Sequence, residues 1–303
     1  MTTKQVILVT GASSGIGRLS AQALAAAGHT VYASMRGITA KNAAKSRELR
    51  DWSFARGLDL RVVELDVLSQ DSADAAVATI VAEQGRLDGV VHNAGHLVVG
   101  PAEAFSPEEM MAAYDTNVLG AQRVNRAALP VLRAQQRGLL LWVSSTTTRG
   151  GFPPFLGPYA AAKAAMDSLA VTMSWELARF GIETSIVVPG AFTSGTEHFP
   201  NAGKPADGET AAAYGRYVGL MDQIGARLSA LMPPEADPQA VADEIRRIVG
   251  LPHGQRPFRS VVDFLDDGAA AVTEVAERVR VDFAERIGIA DLLRPTVVAA
   301  VPA

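Results

Sequence analysis

A short apolar run, Gln5-Val-Ile-Leu-Val-Thr10, passes directly into Gly11-Ala-Ser-Ser-Gly-Ile-Gly17, and Arg18 to Ala27 then reads as an alanine-rich helix ended by Gly28. A continuous apolar run of this length is the pattern of a strand buried on both faces, as in a parallel sheet covered by helices. Glycines let a backbone approach a pyrophosphate closely, and the free N–H groups at a helix start hold the anion. The glycine spacing is not G-x-G-x-x-G, so the order strand, turn, helix carries the inference. Gly11, Ser13, Ser14, Gly15, Ile16 and Gly17 are the candidate phosphate-binding residues; a glycine-rich turn of no consequence is the plainer alternative.

The same alternation continues. His29–Ser34, Leu60–Glu64, Leu87–Val91, Leu139–Val143 and Thr184–Val188 read as strands, and Phe258–Val262 as a last one. Helices are expected at Ser72–Gln84, Pro107–Arg137 (with a kink or break at Pro130), Tyr159–Phe180, Glu209–Met232, Asp237–Val249 and Ala269–Ile287. Strands alternating with helices predict an α/β fold, a doubly wound parallel sheet of about seven strands with helices on both faces. Residues 1–303 are read as one Rossmann-type domain: a core over 1–190, a turn-rich and helical segment over 191–250, and a last strand with a C-terminal helical extension over 251–303.

A net charge of −4 argues against nucleic acid or an anionic membrane as partner. The absence of cysteine removes disulfides, thiolate metal sites and a cysteine nucleophile. The five histidines lack ligand spacing, so no metal is expected. With no signal peptide and no spanning apolar run, the expectation is a soluble, cytoplasmic protein.

Two positions bear on cofactor and chemistry. Where nucleotide folds carry an acidic residue that binds a ribose 2′-hydroxyl, this chain has Met35 followed by Arg36. A guanidinium there binds a 2′-phosphate, so NADP(H) is favoured over NAD(H); a solvated loop charge is the alternative. Tyr159 and Lys163 lie four residues apart in an alanine-rich segment, on one face of a helix. A lysine charge ~4 Å from the phenol, at an effective dielectric of about 20, would favour the phenolate by about 4 kcal/mol, on the order of three pKa units. Such a pair can trade protons with an alcohol or carbonyl.

Thr10-Gly-x-x-x-Gly-x-Gly17, Asp66, Asn93-Ala94-Gly95, Asn117, Ser145, Tyr159-x-x-x-Lys163 and Pro189-Gly190 occur here in one order. Together they resemble the short-chain dehydrogenase/reductase family, over Val6 to about Ser194. The resemblance implies that Tyr159 is the general acid/base, that Lys163 lowers its pKa and binds the nicotinamide ribose, that Ser145 polarises the substrate oxygen, and that Asn117 anchors a water relay. It also implies that Asp66 and Val67 contact the adenine, that Asn93, Ala94 and Gly95 flank the cofactor, and that Pro189 and Gly190 border the nicotinamide. Ser145 lies one position further from Tyr159 than the family's commonest spacing, which falls on Thr146. Ser145 matches the strand end better, and Thr146 stays open as the alternative.

The implied activity is an NADP(H)-dependent interconversion of a carbonyl and an alcohol by hydride transfer. The candidate pocket residues, His96 to Val98, Gly150 to Phe155, Phe192 and Phe199, are mostly apolar and suit an uncharged small-molecule substrate. The resemblance also implies a lid over Ser194 to Met232 that orders on binding, and a homodimer or homotetramer built on the Pro107–Arg137 and Tyr159–Phe180 helices. An NADP(H)-binding epimerase or dehydratase, and a non-catalytic NADP(H)-sensing regulator, are the rival readings.

Overall fold

The computed structural model describes residues 3–151, 153–192 and 195–296, without the side chains of residues 221 and 222. Seven strands form one parallel sheet: β1 (Val6–Val9), β2 (Thr30–Met35), β3 (Leu60–Glu64), β4 (Gly89–His92), β5 (Gly138–Val143), β6 (Ile182–Pro189) and β7 (Arg259–Val262). Their order is β3-β2-β1-β4-β5-β6-β7. The chain therefore reverses direction across the sheet between β1 and β4, and at such a switch point the loops part and leave a crevice at the carboxyl ends of the strands.

The buried strands need no polar alternation, because both faces are covered. Along β1, Leu8 packs on one face, with α3 (Gln70–Gln84), α5 (Gly120–Gln135) and α6 (Gly157–Ala178), through Ile80, Val124, Leu132 and Met166. Ile7 and Val9 point the other way, toward α1 (Gly15–Ala26), α2 (Ala43–Phe54) and α9 (Gln239–Gly250), through Leu24, Leu49, Val241 and Ile245. The two edge strands are the exceptions: Glu64 of β3 is exposed, and every residue of β7 is half-buried.

Most boundaries agree with the sequence reading to within about two residues, the usual uncertainty of fraying ends. Three features differ. Helix α2 is absent from the sequence reading, because it buries only Ser46, Leu49 and Ser53 and shows no apolar stripe. Pro130 lies inside α5, which continues to Gln135, while the irregularity falls earlier. Between α4 (Pro107–Tyr114) and α5, residues Asp115–Leu119 form a wider, π-helical turn. The single helix expected over Glu209–Met232 is split into α7 (Gly208–Ala213), a short 3₁₀ turn at Gly215–Tyr217 and α8 (Leu220–Leu231). Gly219, at φ 75°, supplies the left-handed residue between the last two.

The C-terminal extension is α10 (Ala269–Arg286), followed by a turn at Ala290–Leu293. It is fastened to the end of α6: the Thr296 N–H donates to Ala178 O at 2.8 Å, and Arg179 pairs with Asp291 at 2.9 Å. The last part of the extension expected over 251–303, residues 297–303, lies outside the described residues. Among the described residues, no helix is long and apolar enough to cross a membrane.

Candidate active site

The crevice at the β1/β4 switch point is bordered by the glycine turn. Gly11 has φ 66° and Gly15 φ 53°, conformations that a side chain rarely adopts. A Cβ on Gly11 would stand 2.8 Å from the Ala94 Cα, and one on Gly17 would overlap the Asn93 amide and the Gly11 carbonyl. Thr10 and Asn93 tie the turn to β4. The Thr10 Oγ1 accepts from the Asn93 and Ala94 N–H groups, both at 3.0 Å, and the Asn93 amide donates to the Thr10 and Gly11 carbonyls at 3.0 and 3.1 Å. Ser14, at the N-cap of α1, gives that helix no side-chain cap, so its first N–H groups are not closed off by Ser14. Close-packed glycines at an uncapped helix start fit a pyrophosphate.

Beside the turn, four side chains converge. The π-helical turn directs Asn117 inward, fully buried. Its Oδ1 accepts from the His96 N–H at 3.2 Å, and its Nδ2 donates to the His96 and Ala113 carbonyls at 3.0 and 2.9 Å. Lys163, one turn after Tyr159 in α6, donates from Nζ to the Val143 carbonyl at the end of β5, at 2.9 Å. Gly95 lies between the two: a Cβ there would be 2.7 Å from Asn117 Oδ1 and 3.6 Å from Lys163 Nζ. The Ser145 hydroxyl hydrogen-bonds to Tyr159, while Thr146 is turned to the Asp267 carboxyl. Of the two alternatives, Ser145 is therefore the hydroxyl that meets the phenol.

The electrostatics differ from the simple pair. Burial pushes the Tyr159 phenol up to about 12, offset in part by Ser145. Burial likewise pushes Lys163 down to about 8, against the pull of Asp167. The expected shift of the phenol toward neutrality is absent here: desolvation disfavours both charges, and the ammonium is engaged by a carbonyl. At neutral pH the phenol is thus a proton donor.

A buried ionic group lies behind these residues. Asp167, one turn beyond Lys163, accepts from Arg259 of β7 at 2.6 and 2.8 Å, from the Ser144 hydroxyl at 2.8 Å and from Arg149 at 3.2 Å. It joins α6 to the residue preceding Ser145.

Over the crevice runs the segment after β6. Gly203 pairs with the chain beyond β4, through Val99 N to Gly203 O at 2.8 Å and Gly203 N to Leu97 O at 2.9 Å. The Glu197 carboxylate pairs with Lys45 of α2 at 2.6 Å and hydrogen-bonds to the Ser14 side chain. The His198 ring stands edge-on to that of Tyr159, centroids 5.6 Å apart. Arg36 is exposed at the rim, and its charge holds His96 below the usual imidazole value, second to burial.

Other expected residues lie further out. The Asp66 carboxylate accepts from Leu68 N within its own turn at 3.1 Å, and the Val67 carbonyl accepts from Arg123 at 3.1 Å. Pro189 ends β6, and Gly190 donates to Val262 O at 2.9 Å. Leu97 and Val98 are buried with Tyr159 and Leu156. Phe155 faces Tyr214 and Tyr217, and Phe199 is partly exposed beside His198. Phe192 is core rather than pocket, buried edge-on against Phe264. Gly150 and Gly151 pack against Asp267. Phe152 and Ser194 lie outside the described residues.

Asp167, Lys45, Glu197 and His198 escape the sequence reading. Asp167 has a usable signal, an acid four residues after Lys163 on the same helix face. The others are brought in by tertiary contacts between distant segments.

Residues 5–204 match the sequence model of the family described as short chain dehydrogenase. A 3-ketodihydrosphingosine reductase of Bacteroides thetaiotaomicron is 34% identical over 191 residues, 63% of this chain and 65% of that enzyme's length. Among solved structures, a short-chain dehydrogenase from Streptomyces avermitilis superposes with TM-score 0.71 at 29% identity, covering 95% of this chain and 98% of that one. A single-residue variant of actinorhodin polyketide ketoreductase with NADPH gives TM-score 0.70 at 25% identity, over 87% and 97%.

Proposed function

The chain belongs to the short-chain dehydrogenase family, and from that premise we propose that it is an NADP(H)-dependent oxidoreductase interconverting a carbonyl and an alcohol of an apolar small molecule. The observation that carries the reading is the convergence of Ser145, Tyr159, Lys163 and Asn117 beside the glycine turn. A bound nicotinamide nucleotide supplies or accepts the hydride. Gly11, Ser13, Ser14, Gly15, Ile16 and Gly17 would hold its phosphates. Asn93, Ala94, Gly95, Pro189, Gly190 and Lys163 would border the rest, with Asp66 and Val67 toward the base. Arg36, in place of an acid, supports NADP(H).

In reduction, the Ser145 hydroxyl would donate to the substrate oxygen and Tyr159 would release its proton to that oxygen. The neutral phenol is the form this step needs, and its value near 12 keeps it loaded at pH 7. Lys163 and Asn117 would hold the water and backbone groups through which the phenol regains its proton.

The apolar residues around Tyr159 (Leu97, Val98, Phe105 and Leu156) favour an uncharged, hydrophobic ketone or alcohol. The reductase from Bacteroides fits that class by its name. The lid of this reading spans Ser194 to Met232 and closes when substrate joins the bound nucleotide. Assembly as a homodimer or homotetramer through the outer faces of α5 and α6 belongs to it too, as does a cytoplasmic location.

Tyr159→Phe should lower turnover of a ketone by about a thousandfold, with NADPH still quenching tryptophan fluorescence as in the parent. Undiminished turnover would remove the phenol from the chemistry.

A further inference from the structure

Glu197 makes an unusual connection: one carboxylate spans the Ser14 side chain, at the N-cap of α1, and the Lys45 ammonium, on α2. Glu197 is held below the usual carboxylate range, chiefly by Lys45. Nearby, Thr196 approaches Gly15: a Cβ on that glycine would find the Thr196 Cβ at 3.7 Å. The two donors thus sit on either side of an anion, beside the turn to which the proposed function assigns the cofactor's phosphates. That anion belongs to the chain itself, in the segment that runs over the crevice.

We propose that the Ser14–Lys45 pair is a seat for a phosphate group of the nucleotide, that Lys45 is a cofactor-affinity residue, and that Glu197 competes with the nucleotide for that seat. This inference rests on the proposed function. A carboxylate and a phosphate oxygen accept the same charge-assisted bonds, and a phosphate carries more charge. Seated, it repels Glu197, whose displacement also draws the adjacent His198 from Tyr159. Cofactor affinity and the position of the strap over the phenol are then one linked equilibrium. The 2′-phosphate and the pyrophosphate offer the same chemistry to this seat, and nucleotide choice separates them.

The test is a fluorescence titration of parent, Lys45→Met and Glu197→Gln proteins with NADPH and with NADH, folding being checked by circular dichroism. The Lys45 side chain is partly exposed and that of Glu197 exposed, so neither substitution removes core packing. Lys45→Met should weaken NADPH binding about tenfold, the effect of losing one charge-assisted contact. Glu197→Gln should tighten it several-fold. Weakening confined to NADPH assigns the seat to the 2′-phosphate, and equal weakening of NADH assigns it to the pyrophosphate. A second readout needs no turnover. Limited proteolysis between residues 195 and 203 should speed up on adding NADPH to the parent, and should already be fast without nucleotide in Glu197→Gln. Unchanged affinities in both variants, with the parent binding NADPH, overturn the seat alone. A parent that binds neither nucleotide overturns the proposed function and the seat with it.

Discussion

The His198 imidazole stands edge-on to the Tyr159 ring, with centroids 5.6 Å apart and planes inclined by 67°. The contact covers the phenol from the strap side, and each ring keeps water from the other. His198 is pushed down to about 4, chiefly by burial and then by the Lys163 and His96 charges, while Tyr159 is pushed up to about 12. Removing the cover as His198→Ala should rehydrate the phenol and bring its titration back toward 10. His198→Phe, which keeps an edge-on ring, should hold it up. Ultraviolet difference spectra between pH 8 and pH 12, with Tyr159→Phe as the reference, read the change. Identical titrations in all three proteins would show that the imidazole does not shield the phenol.

Asp167 and Arg259 form the best-buried ion pair near the site, each side chain about 5% exposed. Truncating one partner leaves the other charged and buried, which costs about 3–5 kcal/mol. Arg259→Met should fall near the lower end, because Arg149 and Ser144 still reach the carboxylate. Asp167→Leu also withdraws the charge that holds Lys163 up, so that lysine should drop further below about 8. The double variant should be more stable than the two single losses added together, since no unpaired partner is left across the pair. Urea denaturation of the four proteins supplies the comparison, and strict additivity would show that the pair is not coupled.

Gly95 marks how tightly the site is built. A Cβ there would be 2.7 Å from Asn117 Oδ1, closer than real Cβ contacts come, and 3.6 Å from Lys163 Nζ. Gly95→Ala should therefore displace Asn117 from the His96 backbone and disturb the lysine. A misplacement on the order of 1 Å costs roughly a hundredfold in rate. The expected result is a fall in kcat larger than any loss of NADPH affinity. Equal kcat in parent and variant would mean that the loop yields freely.

The parallel sheet is legible in the sequence because its strands are buried on both faces: Val6–Val9 and Leu139–Leu141 carry no polar residue to obscure the pattern. Helix α2 is not, since it meets the core through Leu49, a partly buried Trp52 and two serines, too few apolar contacts to leave a periodic signature. Pro130 misleads for a physical reason. A proline removes one helical hydrogen bond, and α5 continues past it, whereas the π-helical turn around Asn117 carries no sequence marker. Within the site, motif residues can be named from spacing, whereas Ser145 and Thr146 are told apart by their partners, Tyr159 for the first and Asp267, more than a hundred positions away, for the second. The sign of the Tyr159 shift is misjudged from sequence because a sequence shows the neighbouring charge but not the depth of burial.

Acid should destabilise the fold well above the carboxylate range. The unfolded chain takes up protons at its imidazoles near 6.5. The folded chain keeps His92 and His198 neutral until about 4, in both cases chiefly through burial. Between those values the unfolded state binds more protons, so stability is full above about 6.5 and is lost as the pH falls toward 4. His92 is the more deeply buried of the two, enclosed against Trp142 with its Nε2 on Asn125 Oδ1 at 2.8 Å. At pH 5 a fully buried imidazole of this kind costs about 2 kcal/mol. Urea midpoints measured at pH 7 and pH 5 should move apart accordingly in the parent, and by less in His92→Phe, whatever that substitution does to stability at pH 7. A parent and variant with the same pH slope would mean that His92 takes up its proton in the folded chain as readily as in the unfolded one.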